Sequence, residues 1–267
     1  MQDIIKLENA FFRESDHKYY LDNIAYPSVS GFLKIVEPYK DWDKIAETYA
    51  NKHNLKKEDV QAMWEANKLE KAGRGSVYHL YKETNEVNAI QNFVIDDVKP
   101  IFDLRTLPDG LYTELIVYNN EYGIFGTIDR CIIETIDNVR YVDIKDYKTN
   151  DDLDFESYYN PRTKKYSMLE QPCSHLMDTK YSKYSLQLST YAYFMERYGY
   201  TIRSLEINHH KLKEADFGEP GLITYENKDY VLEFEKDYDV TYLKKEVINM
   251  LKKWKLDQKY KKENNDN

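Results

Sequence analysis

Only two cysteines, Cys131 and Cys173, occur in 267 residues, too few for a disulfide framework or for a four-thiolate zinc or iron–sulfur site. No stretch approaches the roughly 18 apolar residues that a membrane helix needs. The first twelve residues, MQDIIKLENAFF, carry acids and no sustained apolar run, so nothing there reads as a secretory signal. A Gly-rich phosphate loop followed by Lys-Ser or Lys-Thr is missing, and so are helicase motifs and internal repeats. These absences predict a protein of a reducing cytoplasm with no membrane partner.

The net charge of -9 speaks against a protein that coats nucleic acid, because such binding draws on Lys and Arg neutralising phosphates. It leaves room for an enzyme that grips a short stretch, and an acid-lined metal site adds negative charge of its own. Tyrosine is abundant, at 26 residues. Stacking platforms for bases would use it, but amphipathic packing is the ordinary explanation.

The length suits one large α/β domain with a real core. Within it the pattern predicts a hairpin and helical elaboration over residues 1–72, a core over 73–235, and a C-terminal helix with a charged tail over 236–267. Residues 18–27 (KYYLDNIAYP) read as two short strands around an Asp22-Asn23 turn. A helix capped by Ser28 or Ser30 and closed near Pro38 should follow. Residues 42–102 read as mostly helical, with breaks near His53 and at Gly73-Arg74-Gly75 that would set His79 one turn into a new helix.

Three strands are expected near 111–118, 124–134 and 139–148, then a long irregular loop over 150–180. Beyond it come a helix over 183–197 ending at Gly199, strands near 202–212 and 222–234, and a helix over about 239–260 with a frayed tail.

Folding residues 124–148 as a hairpin about an Asp137-Asn138 turn brings the chemistry together. Paired positions then oppose Ile133 to Val142, Cys131 to Ile144, and Asp129 to Asp146, with Lys148 on the same face because strand side chains alternate. Two carboxylates so opposed repel unless something positive lies between them. A divalent cation is the economical choice, and a lysine two residues along can polarise water or stabilise phosphate charge. The plainer alternative is an exposed strand end in which Asp146 and Lys148 simply pair. Adjacent His209 and His210 point to opposite faces and read as structural.

The segments Gly126-Thr127-Ile128-Asp129-Arg130 and Val142-Asp143-Ile144-Lys145-Asp146-Tyr147-Lys148-Thr149 resemble motifs II and III of the PD-(D/E)XK nuclease superfamily. They are most similar to the branch of RecB and AddB nuclease domains and phage exonucleases. Gly75-Ser76-Val77-Tyr78-His79, Glu114 and Gln187-Leu188-Ser189-Thr190-Tyr191 match further motifs of that branch in order, so the resemblance spans roughly residues 73–198.

It implies a restriction-endonuclease-like mixed central sheet flanked by helices, in an α/β fold. His79, Asp129, Asp146 and the backbone carbonyl of Tyr147 would bind one or two Mg²⁺ or Mn²⁺ ions. Lys148 would orient or activate water, Glu114 would support the site, and Gln187 and Tyr191 would position substrate. No iron–sulfur cluster is expected, since the four cysteines of some relatives are missing. The implied activity is DNA phosphodiester hydrolysis, narrowly by an exonuclease of phage or mobile-element DNA in a bacterial host cell. It would act alone or with a helicase, recombinase or single-strand-binding protein. Arg74, Arg162, Lys164, Lys165, Lys180 and Lys183 are candidate phosphate contacts. The alternative is a catalytically silent module of the same fold that binds nucleic acid or protein.

Overall fold

The structure is a computed structural model that describes residues 4–86 and 97–265. The chain opens with strand β1 (Lys6–Arg13), then β2 (Lys18–Leu21) and β3 (Ile24–Tyr26). Asp22 and Asn23 both hold left-handed backbone, φ 50° and 61°, the conformation a two-residue hairpin needs to follow the strand twist. A fourth strand, β4 (Val98–Phe102), pairs with β1 and completes a sheet of order β3-β2-β1-β4. The helix expected over that last stretch is thus a strand, and residues 87–96 of the same expectation lie outside the described residues.

Ser28 caps the short helix α1 (Val29–Leu33), its side chain accepting from the Gly31 N–H. Helix α2 (Trp42–His53) ends at Asn54, which takes the left-handed conformation of a helix terminus. Helix α3 (Lys57–Asn85) then runs for 29 residues without interruption. The break expected at Gly73-Arg74-Gly75 does not occur, and His79 lies two turns from the end of a long helix. The glycines serve close approach instead. A Cβ on Gly73 would overlap the hydroxyl end of Tyr225, and one on Gly75 would lie 3.0 Å from Thr149 Oγ1.

The larger sheet is mixed. It comprises β5 (Gly110–Asn119), β6 (Ile124–Ile136), β7 (Val139–Lys148), β10 (Thr201–Glu214), β11 (Ile223–Tyr225) and β12 (Lys228–Asp239), in the order β11-β12-β10-β7-β6-β5. Only β10 and β7 run parallel. The strand expected over 222–234 is therefore two, turned at Glu226-Asn227, where both residues have positive φ. Between β7 and helix α4 (Lys180–Arg197) lies a small hairpin of β8 (Tyr159–Asn160) and β9 (Lys165–Tyr166), in place of the expected irregular loop. Helix α5 (Lys244–Asn265) starts later than expected because β12 continues to Asp239. It carries the charged tail to Asn265, and the last two residues of KKENNDN lie outside the described residues.

The sheet is flanked by helices. On one side Leu186, Leu188, Ala192, Phe194 and Met195 of α4 pack with Val142, Ile144, Leu205 and Ile207 of the sheet in one continuous apolar core. That core also takes in Ala10, Phe12 and Tyr19 of the smaller sheet and Val247, Met250 and Leu251 of α5. On the other side Tyr78 of α3 joins Leu212, Ile223 and Tyr230 in a smaller cluster. No helix among the described residues is long and apolar enough to cross a membrane.

Candidate active site

The β6–β7 hairpin folds about Asp137-Asn138, both left-handed at φ 50° and 62°. Ile133 opposes Val142 and Cys131 opposes Ile144 as the hairpin reading requires. The regular ladder stops at Arg130↔Lys145, although β7 continues to Lys148 along β10. Where the next pair, Asp129 and Asp146, would stand, Asp129 Oδ2 instead accepts the Tyr147 N–H at 2.6 Å. A carboxylate has replaced a backbone carbonyl as the partner of that donor. The strands open at this point, with acidic side chains on both sides of the opening.

Glu114 meets the same place from β5. Its neighbours pair as Thr113↔Arg130 and Leu115↔Ile128, so Glu114 falls opposite Asp129. Its own backbone is left-handed, φ 50°, in the middle of a strand. A non-glycine residue held there costs about 1–2 kcal/mol, and such strain tends to collect at functional sites. Glu114, Asp129 and Asp146 thus occupy one row across three adjacent strands.

Helix α3 supplies the imidazole. His79 Nδ1 lies 3.6 Å from Glu114 Oε1 and 3.7 Å from Asp129 Oδ1. The donor atoms of His79, Glu114 and Asp129 all fall within 4.8 Å of one another. Asp146 is outside this group of three. Its Oδ2 is 2.6 Å from Lys148 Nζ, so the pairing of Asp146 with Lys148 does occur, buried rather than at an exposed strand end. Asp146 is 1 % exposed, and neither of its oxygens has a hydrogen-bond partner of acceptable geometry among the described residues.

Titration follows from this crowding. Burial is the largest influence on Asp146 and pushes it up to about 6, against the pull of Lys148. Burial likewise raises Asp129. Burial would lower His79, but Asp129 and then Glu114 lift it to about 9. Lys148 is raised above the ordinary lysine range, since Asp146 and Asp129 outweigh its burial.

Gln187 and Tyr191 are joined to each other on α4. Gln187 Nε2 donates to Tyr191 Oη at 2.8 Å, one helical turn apart on α4. Tyr191 is buried, and a Cβ on Gly126 would overlap its ring and Val29, so that glycine admits Tyr191 beside β6. Of Tyr147, the N–H is taken by Asp129, while the phenol donates to Glu86 Oε1 at 3.2 Å on the α3 side of the sheet. His209 Nε2 bonds the Asn150 carbonyl at 2.7 Å, and His210 Nδ1 bonds Tyr78 Oη at 2.7 Å from the other face. No protein-family model matches the chain, and no curated protein matches it significantly.

Lys82, Glu86 and Tyr184 lie outside the motif segments yet meet residues within them. Arg130 Nε lies 3.0 Å from Glu86 Oε2, Lys82 sits 5.4 Å above the Tyr147 ring, and Lys148 lies 4.7 Å above the Tyr184 ring. Lys82 and Glu86 stand three and seven residues after His79, a helical spacing that would have put them on its face.

His210 makes a prediction of its own. Its side chain is fully buried, Nε2 has no partner among the described residues, and burial, then Lys82 and His209, pushes it down to about 3. An unfolded histidine titrates near 6.5. Between those values the unfolded chain takes a proton that the folded chain refuses, so stability is lost as pH falls through this window. His210→Gln, which can still meet the Tyr78 hydroxyl, should show a shallower acid limb, by on the order of a few kcal/mol, in urea unfolding between pH 4 and pH 7. Parallel curves for the two proteins would remove His210 as the cause.

Proposed function

We propose that this protein is a metal-dependent nuclease of the PD-(D/E)XK kind, hydrolysing phosphodiester bonds in DNA. The observation that supports it most is the row of Glu114, Asp129 and Asp146 at the opening of a strand pair, met by His79 from a helix and by Lys148. Three buried or half-buried acids so placed destabilise the fold unless the place has a use.

The residues fit a divalent cation. One imidazole with carboxylates suits Mn²⁺ or Mg²⁺, and Asp146, whose Oδ2 pairs with Lys148, keeps buried Oδ1 without a hydrogen-bond partner among the described residues, an acceptor that a nearby cation would satisfy. His79, Glu114 and Asp129 would hold it, with Asp146 and the carbonyl of Tyr147 joining as the sequence resemblance implies, around one ion or two. When bound, such an ion polarises the scissile phosphate and makes water nucleophilic near neutral pH.

The chain's own groups have separable tasks. Lys148, held as an ammonium by Asp146, can only donate, so it orients water or offsets charge on the phosphate and does not act as a base. Asp146, 2.6 Å from Lys148 Nζ, keeps that ammonium in place beside the acids. Gln187 and Tyr191, bonded to each other, line the same side from α4. The finer fold, a restriction-endonuclease-like core, and the narrower role, an exonuclease of phage or mobile-element DNA with or without a helicase, recombinase or single-strand-binding partner, belong to the same proposal.

One observation favours a silent binding module instead. His79 Nδ1, 3.6 Å from Glu114 Oε1 and 3.7 Å from Asp129 Oδ1, can itself offset part of their charge when protonated. Incubation with 5′- and 3′-labelled linear and circular DNA in Mg²⁺, Mn²⁺ or EDTA separates the two readings. The nuclease degrades DNA only with a metal, whereas the module binds DNA or protein under every condition and cuts nothing.

A further inference from the structure

Just past Lys148 the chain leaves the sheet, and it returns at α4. The excursion is anchored at its base. Leu153 and Ser157 are buried, the Lys180 N–H donates to Asp154 Oδ2 at 3.0 Å, and Phe155 packs against the Tyr181 and Tyr238 rings at 4.8 and 5.4 Å. Ser157 Oγ donates to the Ser167 carbonyl at 2.6 Å, and the Ser167 N–H donates to the Tyr158 carbonyl at 2.9 Å. Above this footing β8 and β9 pair Tyr159 with Tyr166 and Asn160 with Lys165, and every residue from 161 to 166 is exposed. The tip is a presented surface on a fixed base.

Its chemistry departs from that of the chain. The whole protein carries -9, yet residues 157–168 (SYYNPRTKKYSM) hold Arg162, Lys164 and Lys165 and no acid. Other basic side chains are engaged: Lys71 and Arg74 with Asp151, Lys82 with Glu235, Lys180 with Asp154, Lys183 with Asp178. Arg162, Lys164 and Lys165 take part in no ion pair among the described residues. Beside them Tyr158, Tyr159 and Tyr166 are 69 %, 45 % and 40 % exposed. Unneutralised cations interleaved with exposed rings make the surface that phosphates and unstacked bases need together.

We infer that residues 157–168 form a clamp for single-stranded nucleic acid, with phosphates on Arg162, Lys164 and Lys165 and base faces against the exposed tyrosines. The inference rests on the nuclease reading of the site, which gives a strand a reason to pass beside Lys148. In a duplex the base faces are stacked on one another, so the tyrosines select an open strand.

The test measures binding in EDTA, where no metal-dependent cutting interferes, by fluorescence anisotropy of a labelled oligothymidylate of about 20 nucleotides and a duplex of equal length. The triple variant Arg162→Gln/Lys164→Gln/Lys165→Gln should bind the single strand about tenfold more weakly or worse, and its log affinity against log salt should be shallower by about 2, three lost contacts at roughly 0.7 each. Tyr158→Ala should weaken single-strand binding about fivefold or more with the salt slope unchanged. Triple-variant binding equal to wild type, or no wild-type binding of the single strand, overturns the clamp. So does an equal loss on duplex with Tyr158→Ala silent, which marks a general polyanion surface. A wild type that cuts DNA in Mn²⁺ while the triple variant still binds normally overturns the clamp and leaves the nuclease reading standing. Weakened single-strand binding by both variants, with a wild type that binds but never cuts, does the reverse.

Discussion

Asp129→Asn is expected to lower Mn²⁺-dependent DNA cleavage by on the order of 10³-fold or more while leaving the metal-free protein as stable as before, or more so. The amide is nearly isosteric, and its oxygen can still accept the Tyr147 N–H that Asp129 Oδ2 accepts at 2.6 Å. What it removes is one of three acids in a row across β5, β6 and β7. Buried at 9 % exposure, with its ionisation opposed by burial, Asp129 costs stability as a charge. Calorimetric titration with Mn²⁺ and urea unfolding in EDTA read the two halves separately. A large loss of metal-free stability would show that Asp129 is a structural acid, and unchanged Mn²⁺ affinity would remove it from the donor set. His79 adds a proton count: an imidazole lifted to about 9 is protonated at neutral pH. Metal binding through it should therefore release a proton, and affinity should weaken as pH falls.

Lys148→Ala should cost both activity and stability, and the two can be separated by a second change. The ammonium is 2.6 Å from Asp146 Oδ2, and Asp146 is 1 % exposed. Its removal strands a buried carboxylate, a loss of about 3–5 kcal/mol when a buried pair is broken from one side. Asp146 softens this by taking a proton. It already titrates near 6, raised from its unfolded value, and without Lys148 it rises further. A carboxyl with a raised folded pKa is most favourable when protonated, so the penalty should be small below the unfolded value near 3.8 and grow as pH climbs through the folded one. Lys148→Ala/Asp146→Asn should regain most of the stability at pH 7, since no charge is left stranded. Neither protein should regain cleavage, because the donor that offsets phosphate charge is missing, at a cost of about 10²–10³ in rate. Restored activity in the double variant would place Lys148 in a structural role alone.

Local chemistry foretold much of this site. The Asp137-Asn138 pair tolerates two successive left-handed residues, so the turn and the register of Cys131 with Ile144 could be read in advance. Alternation along β7 then placed Asp146 and Lys148 on one face. Gln187 and Tyr191 were bound to meet across one turn of α4, and they do. By contrast Gly73 and Gly75 read as a helix break in the sequence but lie inside α3, because a glycine that breaks a helix and one that admits a neighbour look alike in one dimension. Only Tyr225 and Thr149, distant in the chain, tell them apart. The strands β1 and β4 are not legible in the sequence for a similar reason, since they pair with each other across a long stretch of chain and pairing, not propensity, makes them strands.

Which strand charges face one another follows from period-two alternation and hairpin turns, which are local rules. How they are shared comes from packing: His79, Glu114 and Asp129 as one donor group, with Asp146 drawn to Lys148. That division depends on where β6 and β7 part, on the left-handed backbone of Glu114, and on a long helix bringing His79 across from another part of the chain. Each of these is set by packing between segments tens of residues apart, and no local pattern encodes it.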